Sequence, residues 1–290
     1  MNRLIQKAKF YLSDIRAKEI EKIIEIEQPD IINHHAAQKS VPHSVDDPVN
    51  DAEINVMGLI NVLNCAKKHK VKRIIFISSG GALGGDRDIL PTPETHPVTT
   101  LSPYAITKFV SEKYLNYFQV TFGLEYVVLR YVNVYGPRQI ADGECGVIPI
   151  FMNNILANQP SRLMTYSDMP KGVTRDYVYI DDIKEANILA LTRGANQNFN
   201  IGSGEEVYIA DIYNKLLEVA EVDLPLVREG KRLGDVRRSV LDVSKAKLNL
   251  GWEPKTELKE RYRVYLPVFK KSDACEQSSL MKYVWGTAFG

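Results

Sequence analysis

The sequence predicts an α/β fold in which a doubly wound parallel sheet is followed by a smaller α+β lobe. In the first half, short apolar runs rich in β-branched residues alternate with amphipathic helical segments. Strands covered by helices on both faces are apolar along their whole length, so this order is typical of a parallel sheet. The second half mixes shorter strands with helices, which indicates a different architecture there. With 290 residues, the chain is long enough to bury a large core.

In the first half, individual residues mark where helices begin and end. Helical periodicity stops before Pro29, because proline cannot continue a helix. Ser102 is a favourable N-cap, and Pro103 suits the first helical position. The predicted elements are helix 17–27, strand 31–34, helix 51–70, strand 73–78, helix 102–122 and strand 126–131.

The second half predicts a less regular series of elements. These are helix 147–158, strand 176–180, helix 182–192, strand 199–201 and helices 210–220 and 244–250. Asp181 is the expected cap of the helix that follows it. A boundary near Gly136–Pro137 divides the chain into segments 1–135 and 136–271, and residues 272–290 are expected to form a tail because their periodicity is weak.

Composition excludes several classes of protein. The 37 basic and 36 acidic residues give a net charge of +1, which provides no electrostatic reason to expect nucleic acid or an anionic membrane as partner. No apolar run has the length of a membrane span. Cys65, Cys145 and Cys275 are far apart, so we expect a reducing, cytoplasmic compartment. The adjacent His34 and His35 point to opposite faces of a strand, and we expect no metal site.

A tyrosine–lysine pair is the first indication of chemistry. Tyr104 and Lys108 are four residues apart on one face of a predicted helix. Ser79 lies 25 residues before Tyr104, at the carboxyl end of a predicted strand, where ligands bind in open α/β sheets. A nearby ammonium favours the phenolate, which can then accept a proton from an alcohol. Since about one such pair is expected by chance, its weight depends on the serine and on the flanking segments.

A series of motifs in a fixed order extends this indication over residues 8–254. The motifs are Phe10–Ile15, His34–Gln38, Asn55–Gly58, Ile77–Ala82, Ser102–Lys108, Leu129–Arg138, Thr174–Val178, Asn200–Gly204 and Gly234–Ser239. The chain thereby resembles the extended short-chain dehydrogenase/reductase family, in particular its NAD-dependent nucleotide-sugar epimerases and dehydratases of the UDP-glucose 4-epimerase type. The resemblance implies a Rossmann-like domain over residues 1–135 and a mainly substrate-binding lobe over 136–271. It also implies a homodimer joined through helices 51–70 and 102–122.

The resemblance implies a role for each matching residue. Tyr104 would be the base, Ser79 would hydrogen-bond the reacting oxygen, and Lys108 would lower the tyrosine pKa and hold the nicotinamide ribose. The implied cofactor-binding residues are Asp14, Ile15, His35, Ala36, Ala37, Gln38, Asn55, Ser78, Tyr104, Lys108, Tyr131 and Val134. The implied substrate-binding residues are Ser79, Gly80, Asn133, Arg175, Arg232 and Asp235. Without that context, Asp14 is equally well interpreted as a helix cap. An arginine such as Arg175 is more often a surface charge.

The residues after Ser79 bear on the type of reaction. Family dehydratases carry an acidic residue there that protonates the leaving hydroxyl, whereas this chain has Gly80 and Gly81. Neither glycine can donate a proton, so the pattern favours a 4-epimerase acting through a 4-keto intermediate over a dehydratase. The glycines have a second interpretation, since they also let the backbone approach a sugar closely.

The cofactor's usual phosphate loop is not found in this sequence. None of its glycines forms GxGxxG, GxxGxxG or GxxxxGK. Since family members begin with a strand, a GxxGxxG turn and a helix, we expect about 40 residues, on the scale of one β-α-β unit, to be missing before Met1. Two hypotheses follow: an epimerase whose recorded sequence is truncated, or a non-catalytic paralogue that binds a nucleotide sugar or a partner subunit. Retention of Ser79, Tyr104 and Lys108 favours the first.

Overall fold

The computed structural model describes residues 8–85, 89–139, 146–230 and 236–256. Its helices are α1 (Glu19–Glu27), α2 (Val41–Asp46), α3 (Pro48–Ala52), α4 (Gly58–Lys68), α5 (Gly80–Gly84), α6 (Pro103–Phe122), α7 (Val147–Leu156), α8 (Ile180–Ala190) and α9 (Ile209–Ala220). Its strands are β1 (Ile31–His34), β2 (Arg73–Ser79), β3 (Glu125–Tyr131), β4 (Asn133–Tyr135), β5 (Ser161–Met164), β6 (Thr174–Arg175), β7 (Tyr177–Tyr179), β8 (Gln197–Ile201), β9 (Val207–Tyr208) and β10 (Leu226–Glu229). Two π-helical turns span Glu53–Met57 and Ala246–Leu250.

A four-stranded sheet with the order β1-β2-β3-β8 lies at the centre of the described structure. Every pair in it is parallel. Successive side chains of a strand leave opposite faces of the sheet. In β2, Ile74, Ile75 and Phe76 are nevertheless all buried, so both faces of this strand are covered. The predicted α/β class with a doubly wound parallel sheet is therefore confirmed.

Helices cover the two faces of the sheet separately. On one face, α1, α4 and α6 pack through Ile24, Leu63 and Leu115 against Phe76. On the other face, α8 and the second π-helical turn pack together with Trp252, whose indole N–H donates to the carbonyl of Asp182 at 2.8 Å. Within the described ranges, no helix combines the length and the apolar character needed to cross a membrane.

The second half of the chain contributes both to the central sheet and to a separate core. Its strand β8 pairs with β3 over five residues, ending with Tyr131 beside Ile201. The separate core is built around α7 and α9, where the Phe151 ring meets the Tyr213 ring edge-on at 5.0 Å. Three two-stranded sheets, β4–β7, β5–β10 and β6–β9, also occur in the described residues.

The predicted helix 51–70 corresponds to a continuous helical segment from Pro48 to Lys68, which is not α-helical throughout. The helical segment begins at Pro48 because the Asp47 carboxylate caps it, accepting the N–H of Asn50 at 2.9 Å. It then passes through the π-helical turn Glu53–Met57 before continuing as α4. The turn contains Asn55, a buried polar residue whose side chain also bonds Gln38 and Thr107 outside this segment, and such contacts are invisible to periodicity.

The predicted strand 176–180 corresponds to β7, Tyr177–Tyr179. A further short strand, β6, ends before Asp176, whose carboxylate turns inward to accept hydrogen bonds from Ser203 and Gly204. Asp181 does not cap α8, which begins at Ile180, and instead forms a surface ion pair with Lys184. The short elements α2, α5, β4, β5, β6, β9 and β10 were not predicted, because they are too brief for a periodic signal.

Candidate active site

The three residues expected to react lie at the carboxyl end of β2. Ser79 ends that strand and caps α5, its hydroxyl accepting the N–H of Ala82 at 3.3 Å. Tyr104 and Lys108 occupy the first two turns of α6. The hydroxyl of Ser102 accepts the N–H of Ala105 at 3.2 Å, so the predicted cap sets where this helix begins.

Lys108 is the electrostatic centre of the site. Its side chain is buried, and its ammonium donates to the carbonyl of Ile77 at 2.9 Å. The same nitrogen lies 5.8 Å from the centre of the Tyr104 ring and 4.9 Å from that of Phe76. Burial lowers the pKa of Lys108 from its ordinary value to about 8, and the nearby carboxylates of Asp51 and Glu112 oppose that shift.

A buried polar network supports the loop that follows β1. The side-chain amide of Asn55 bonds both main-chain polar groups of Gln38. Its oxygen accepts the N–H of Gln38 at 2.9 Å, and its nitrogen donates to the Gln38 carbonyl at 3.1 Å. Asp51, which is fully buried, accepts from Gln38 at 2.7 Å, from Asn55 at 3.0 Å and from Thr107 at 2.7 Å. Since Thr107 precedes Lys108, the network joins loop 35–39 to the helix that carries the reacting side chains. Ala36 in this loop is exposed and Ala37 half-buried.

Sequence reasoning missed Asp51 and Thr107. A signal was available, because Asp51 and Asn55 are polar residues on the same side of a predicted helix as the apolar Leu59 and Leu63. Polar residues on a buried stripe require hydrogen-bond partners, and their presence marks either a network or a site.

The carboxyl ends of β1 and β3 are connected by Asn187 of α8, a residue that sequence reasoning also missed. Its amide oxygen lies 3.3 Å from Nε2 of His35, and its amide nitrogen donates to the Tyr131 hydroxyl at 2.5 Å. Burial raises the pKa of Tyr131, which therefore stays protonated. His34, on the opposite side of the strand, stacks on Phe76, and burial lowers its pKa to about 4, so its ring is neutral.

The segment with Asp14 and Ile15 packs against the start of α4. Asn61 donates to the Ile15 carbonyl at 2.7 Å, and a Cβ on Gly58 would come within 2.5 Å of Ile15 Cδ1. Glycine is therefore needed at position 58 for this close approach. Asp14 is exposed, and its hydrogen bonds with Arg16 lower the pKa of its carboxyl to about 2.

The structure brings together two of the residues expected to bind the substrate. Asn133, at the start of β4, bonds to the carbonyl of Asp176 through both its main-chain N–H at 3.2 Å and its side-chain amide at 3.0 Å. Arg175 is the neighbour of Asp176, and its guanidinium donates to the carbonyls of Thr174 and Val236. Arg232 and Asp235 lie outside the described residues.

The side chain of Asp176 holds this part of the chain, which includes Arg175 and the partner carbonyl of Asn133, in place. Its buried carboxylate accepts four hydrogen bonds from Ser203 and from the N–H groups of Gly204 and Leu241. Burial outweighs these bonds and raises its pKa to about 6. A Cβ on Gly202 would lie 2.5 Å from Asp176 Oδ2, so the strand end must approach the carboxylate without a side chain.

The two glycines after Ser79 differ in the space around them. A Cβ on Gly80 would overlap Leu241 Cδ1 and lie 3.3 Å from the carbonyl oxygen of Arg130. At Gly81 the nearest atom would be Ser239 Oγ at 3.6 Å, an ordinary contact. A side chain at position 80 would therefore displace Leu241, whereas one at position 81 would begin with an ordinary contact.

The groups around Lys108 fit the ribose and nicotinamide side of a dinucleotide. An ammonium has three N–H donors, and among the described residues one is used, by the Ile77 carbonyl. The remaining donors suit ribose hydroxyls. Tyr131, at the end of β3, and Val134, in the middle of β4, are both half-buried and offer apolar surface for a flat ring. The chain can thus hold this part of NAD with Lys108, with the loop braced by Asn55 and with these two side chains.

Comparison with known proteins gives a consistent result over most of the chain. The model of the NAD dependent epimerase/dehydratase family matches residues 2–202. A protein of Methanocaldococcus jannaschii named putative UDP-glucose 4-epimerase is 39% identical over 259 residues, which are 89% of this chain and 83% of that protein. The UDP-glucose 4-epimerase of Mycolicibacterium smegmatis is 37% identical over 256 residues, covering 88% of this chain and 80% of its own length.

Solved structures share the same fold. The crystal structure of UDP-glucose 4-epimerase with UDP-glucose from the hyperthermophilic eubacterium Thermotoga maritima superposes with a TM-score of 0.89 at 41% identity, covering 93% of this chain and 86% of that one. A complex of the Thermus thermophilus UDP-glucose 4-epimerase with NAD gives a TM-score of 0.86 at 36% identity, covering 92% and 86% of the two chains.

Proposed function

Since the chain belongs to the NAD-dependent epimerase/dehydratase family, we propose that it is a nucleotide-sugar 4-epimerase of the UDP-glucose/UDP-galactose type. The observation that carries the proposal is the placement of Tyr104, Lys108 and Ser79 at one strand end. Relatives named for this activity, and neighbours solved with UDP-glucose or with NAD, support it.

In the proposed reaction each of these side chains has one role. The Lys108 ammonium, positive below a pKa of about 8, stabilises the Tyr104 phenolate, which accepts the proton of the sugar's C4 hydroxyl. The Ser79 hydroxyl hydrogen-bonds the same oxygen as it becomes a carbonyl. NAD, when bound, would serve as the acceptor and later the donor of the hydride at C4. Tyr104 gives its proton back as the 4-keto sugar is reduced from its other face, so the reaction is balanced without a further oxidant.

The surroundings of Gly80 favour epimerisation over elimination. A dehydratase needs an acid to protonate the leaving hydroxyl. At Gly80 even a Cβ would collide with Leu241, so the position next to Ser79 cannot hold a carboxylic acid without repacking. The dehydratase alternative then depends on Gly81, where the sequence also places no acid.

The outer face of α6 supports the proposed homodimer. Ile106, Tyr117 and Val120 recur at helical spacing on this face, and each is about half or more exposed. Two copies of α4 and α6 would cover such a stripe in a four-helix arrangement.

The proposal also divides the chain near Gly136. Residues 1–135 would bind the cofactor, and residues 136–271 would mainly bind the nucleotide sugar. The compartment is the cytoplasm, as the cysteines suggest.

The test is turnover of a defined substrate by the purified chain. It is incubated with NAD and UDP-glucose, and the products are separated by chromatography. Formation of UDP-galactose supports the proposal, whereas a 4-keto-6-deoxy product would establish the dehydratase. If neither product forms while UDP-glucose binding is measurable by calorimetry, the non-catalytic alternative is supported. Sedimentation of a monomer at micromolar concentration would contradict the homodimer.

A further inference from the structure

Glu112 forms a second polar junction beside the reacting residues, one that the proposed mechanism does not use. It lies one helical turn after Lys108 on α6 and is buried. Its carboxylate accepts from the Ser78 hydroxyl at 2.7 Å and, in a forked pair, from Nε and Nη2 of Arg130 at 2.9 and 2.6 Å. We propose that Glu112 is a positioning residue, which fixes α6 against the carboxyl ends of β2 and β3 and thereby sets Tyr104 and Lys108 relative to Ser79.

The contacts of Glu112 reach each strand where the site begins. Ser78 directly precedes Ser79 on β2, and Arg130 directly precedes Tyr131 on β3. In the parallel register Ser78 lies beside Arg130, so a single carboxylate bonds two neighbouring strands at the same level. A forked carboxylate–guanidinium pair fixes orientation as well as distance. A shift of α6 along its axis would break all three bonds together.

A similar pair at the other end of the same strands shows what is particular about Glu112. Arg73, the first residue of β2, donates through Nε and Nη2 to Glu125, the first residue of β3, at 3.1 and 2.7 Å. That pair also joins β2 to β3, but it lies at the amino ends of the strands, and its carboxylate belongs to a strand. It therefore braces the sheet without touching α6, which makes Glu125 a matched control.

Glu112 also contributes to the field at the site. The charged or titratable groups that face Lys108 are Asp51, Glu112, His34, His35 and Tyr104, and Arg130 lies behind Glu112. The Glu112 carboxylate raises the pKa of Lys108 against the effect of burial. Removing its charge leaves the Arg130 guanidinium unpaired, so the lysine then loses its proton at lower pH.

The experiment compares Glu112→Gln with Glu125→Gln in the full chain, and its kinetic half rests on the proposed 4-epimerase activity. We expect Glu112→Gln to lower kcat roughly 10- to 100-fold with little change in KM, since misplacement of reacting groups by about 1 Å has effects of that size. Glu125→Gln should keep kcat within about twofold, because this pair lies at the opposite end of the strands and shares no partner with Glu112. Glu112→Asp, which keeps the charge but shortens the side chain, should also lower kcat.

A second measurement does not depend on turnover. The ¹³Cε signal of Lys108, identified by its loss in Lys108→Met, is titrated by NMR in the unliganded chain. Its midpoint should fall in Glu112→Gln and stay at the wild-type value in Glu112→Asp and Glu125→Gln. Equal kcat in the two Gln variants, or an unchanged midpoint in Glu112→Gln, would overturn the inference.

The outcomes separate this inference from the proposed function. If the wild-type chain makes no UDP-galactose but the midpoint falls only in Glu112→Gln, the proposed function fails and the coupling between Glu112 and Lys108 stands. If Glu112→Gln does not fold, Glu112→Asp against Glu125→Asp gives the same kinetic comparison. Equal loss of kcat in these two would then overturn the inference.

Discussion

The Lys108 ammonium donates a 2.9 Å hydrogen bond to the carbonyl of Ile77, two residues before Ser79. This bond joins α6, which carries Tyr104 and Lys108, to the end of β2, which carries Ser79. Because Lys108 is buried, the bond is shielded from competing water and is correspondingly costly to break. The side chains around this bond can each be tested by substitution or by titration.

Tyr104→Phe should reduce epimerisation by at least about 100-fold, because the proton acceptor is lost, while NAD remains bound. The measurement is conversion of UDP-glucose together with the NAD content of the purified variant. Tyr117→Phe, on the exposed face of the same helix, should behave as wild type. Turnover retained by the Tyr104 variant would contradict the assignment of the base.

Turnover should fall as the pH rises through about 8, the lowered pKa of Lys108, since the tyrosine then loses the charge that stabilises its phenolate. A loss of folding stability caused by the titration of Lys108 does not explain such a fall in turnover. Between pH 8 and its ordinary pKa, the folded chain binds fewer protons at Lys108 than the unfolded chain does, so this lysine's contribution to stability rises. A rate that is flat from about pH 7 to 10, with circular dichroism unchanged, would count against the role of Lys108.

Thr107→Val should destabilise the chain by about 1–3 kcal/mol, because the fully buried Asp51 carboxylate loses a donor at 2.7 Å. Thr107→Ser keeps the hydroxyl and should cost much less. Thermal unfolding measures both, with roughly 2–4 °C expected per kcal/mol for a chain of this size. Equal melting temperatures for the two variants would show that the hydrogen bond is unimportant.

Gly80→Ala should be destabilising by about 1–3 kcal/mol, since the new Cβ overlaps Leu241 and approaches a main-chain carbonyl. Gly81→Ala is the matched comparison, because its Cβ meets nothing closer than 3.6 Å and alanine is the better helix former. Denaturant unfolding of the two variants should therefore differ in sign or clearly in size. Equal effects would contradict the packing described around α5.

The sequence predicted the central sheet and the start of α6 for identifiable reasons. The strands that form the central sheet are apolar runs, and Ser102–Pro103 marks the start of α6 locally, so both were visible without a structure. The π-helical turn, the role of Asp51 and the bond from Asn187 to Tyr131 depend on partners that are 56 residues away in the chain. Such pairings are set by the tertiary fold, and no local pattern contains them.

The π-helical turn has a consequence for the phase of the helical segment that contains it. An α-helix advances about 100° per residue, so side chains four apart drift around the axis by about 40° each step. Asp51, Asn55, Leu59 and Leu63 are spaced by four and are all buried. The wider turn at Glu53–Met57 compensates part of that drift. One side of the segment therefore contributes Asp51 and Asn55 to the polar network and, further along the chain, Leu59 and Leu63 to the apolar core. Removing one residue there would rotate α4 out of phase with the sheet, while every side chain in it stayed the same.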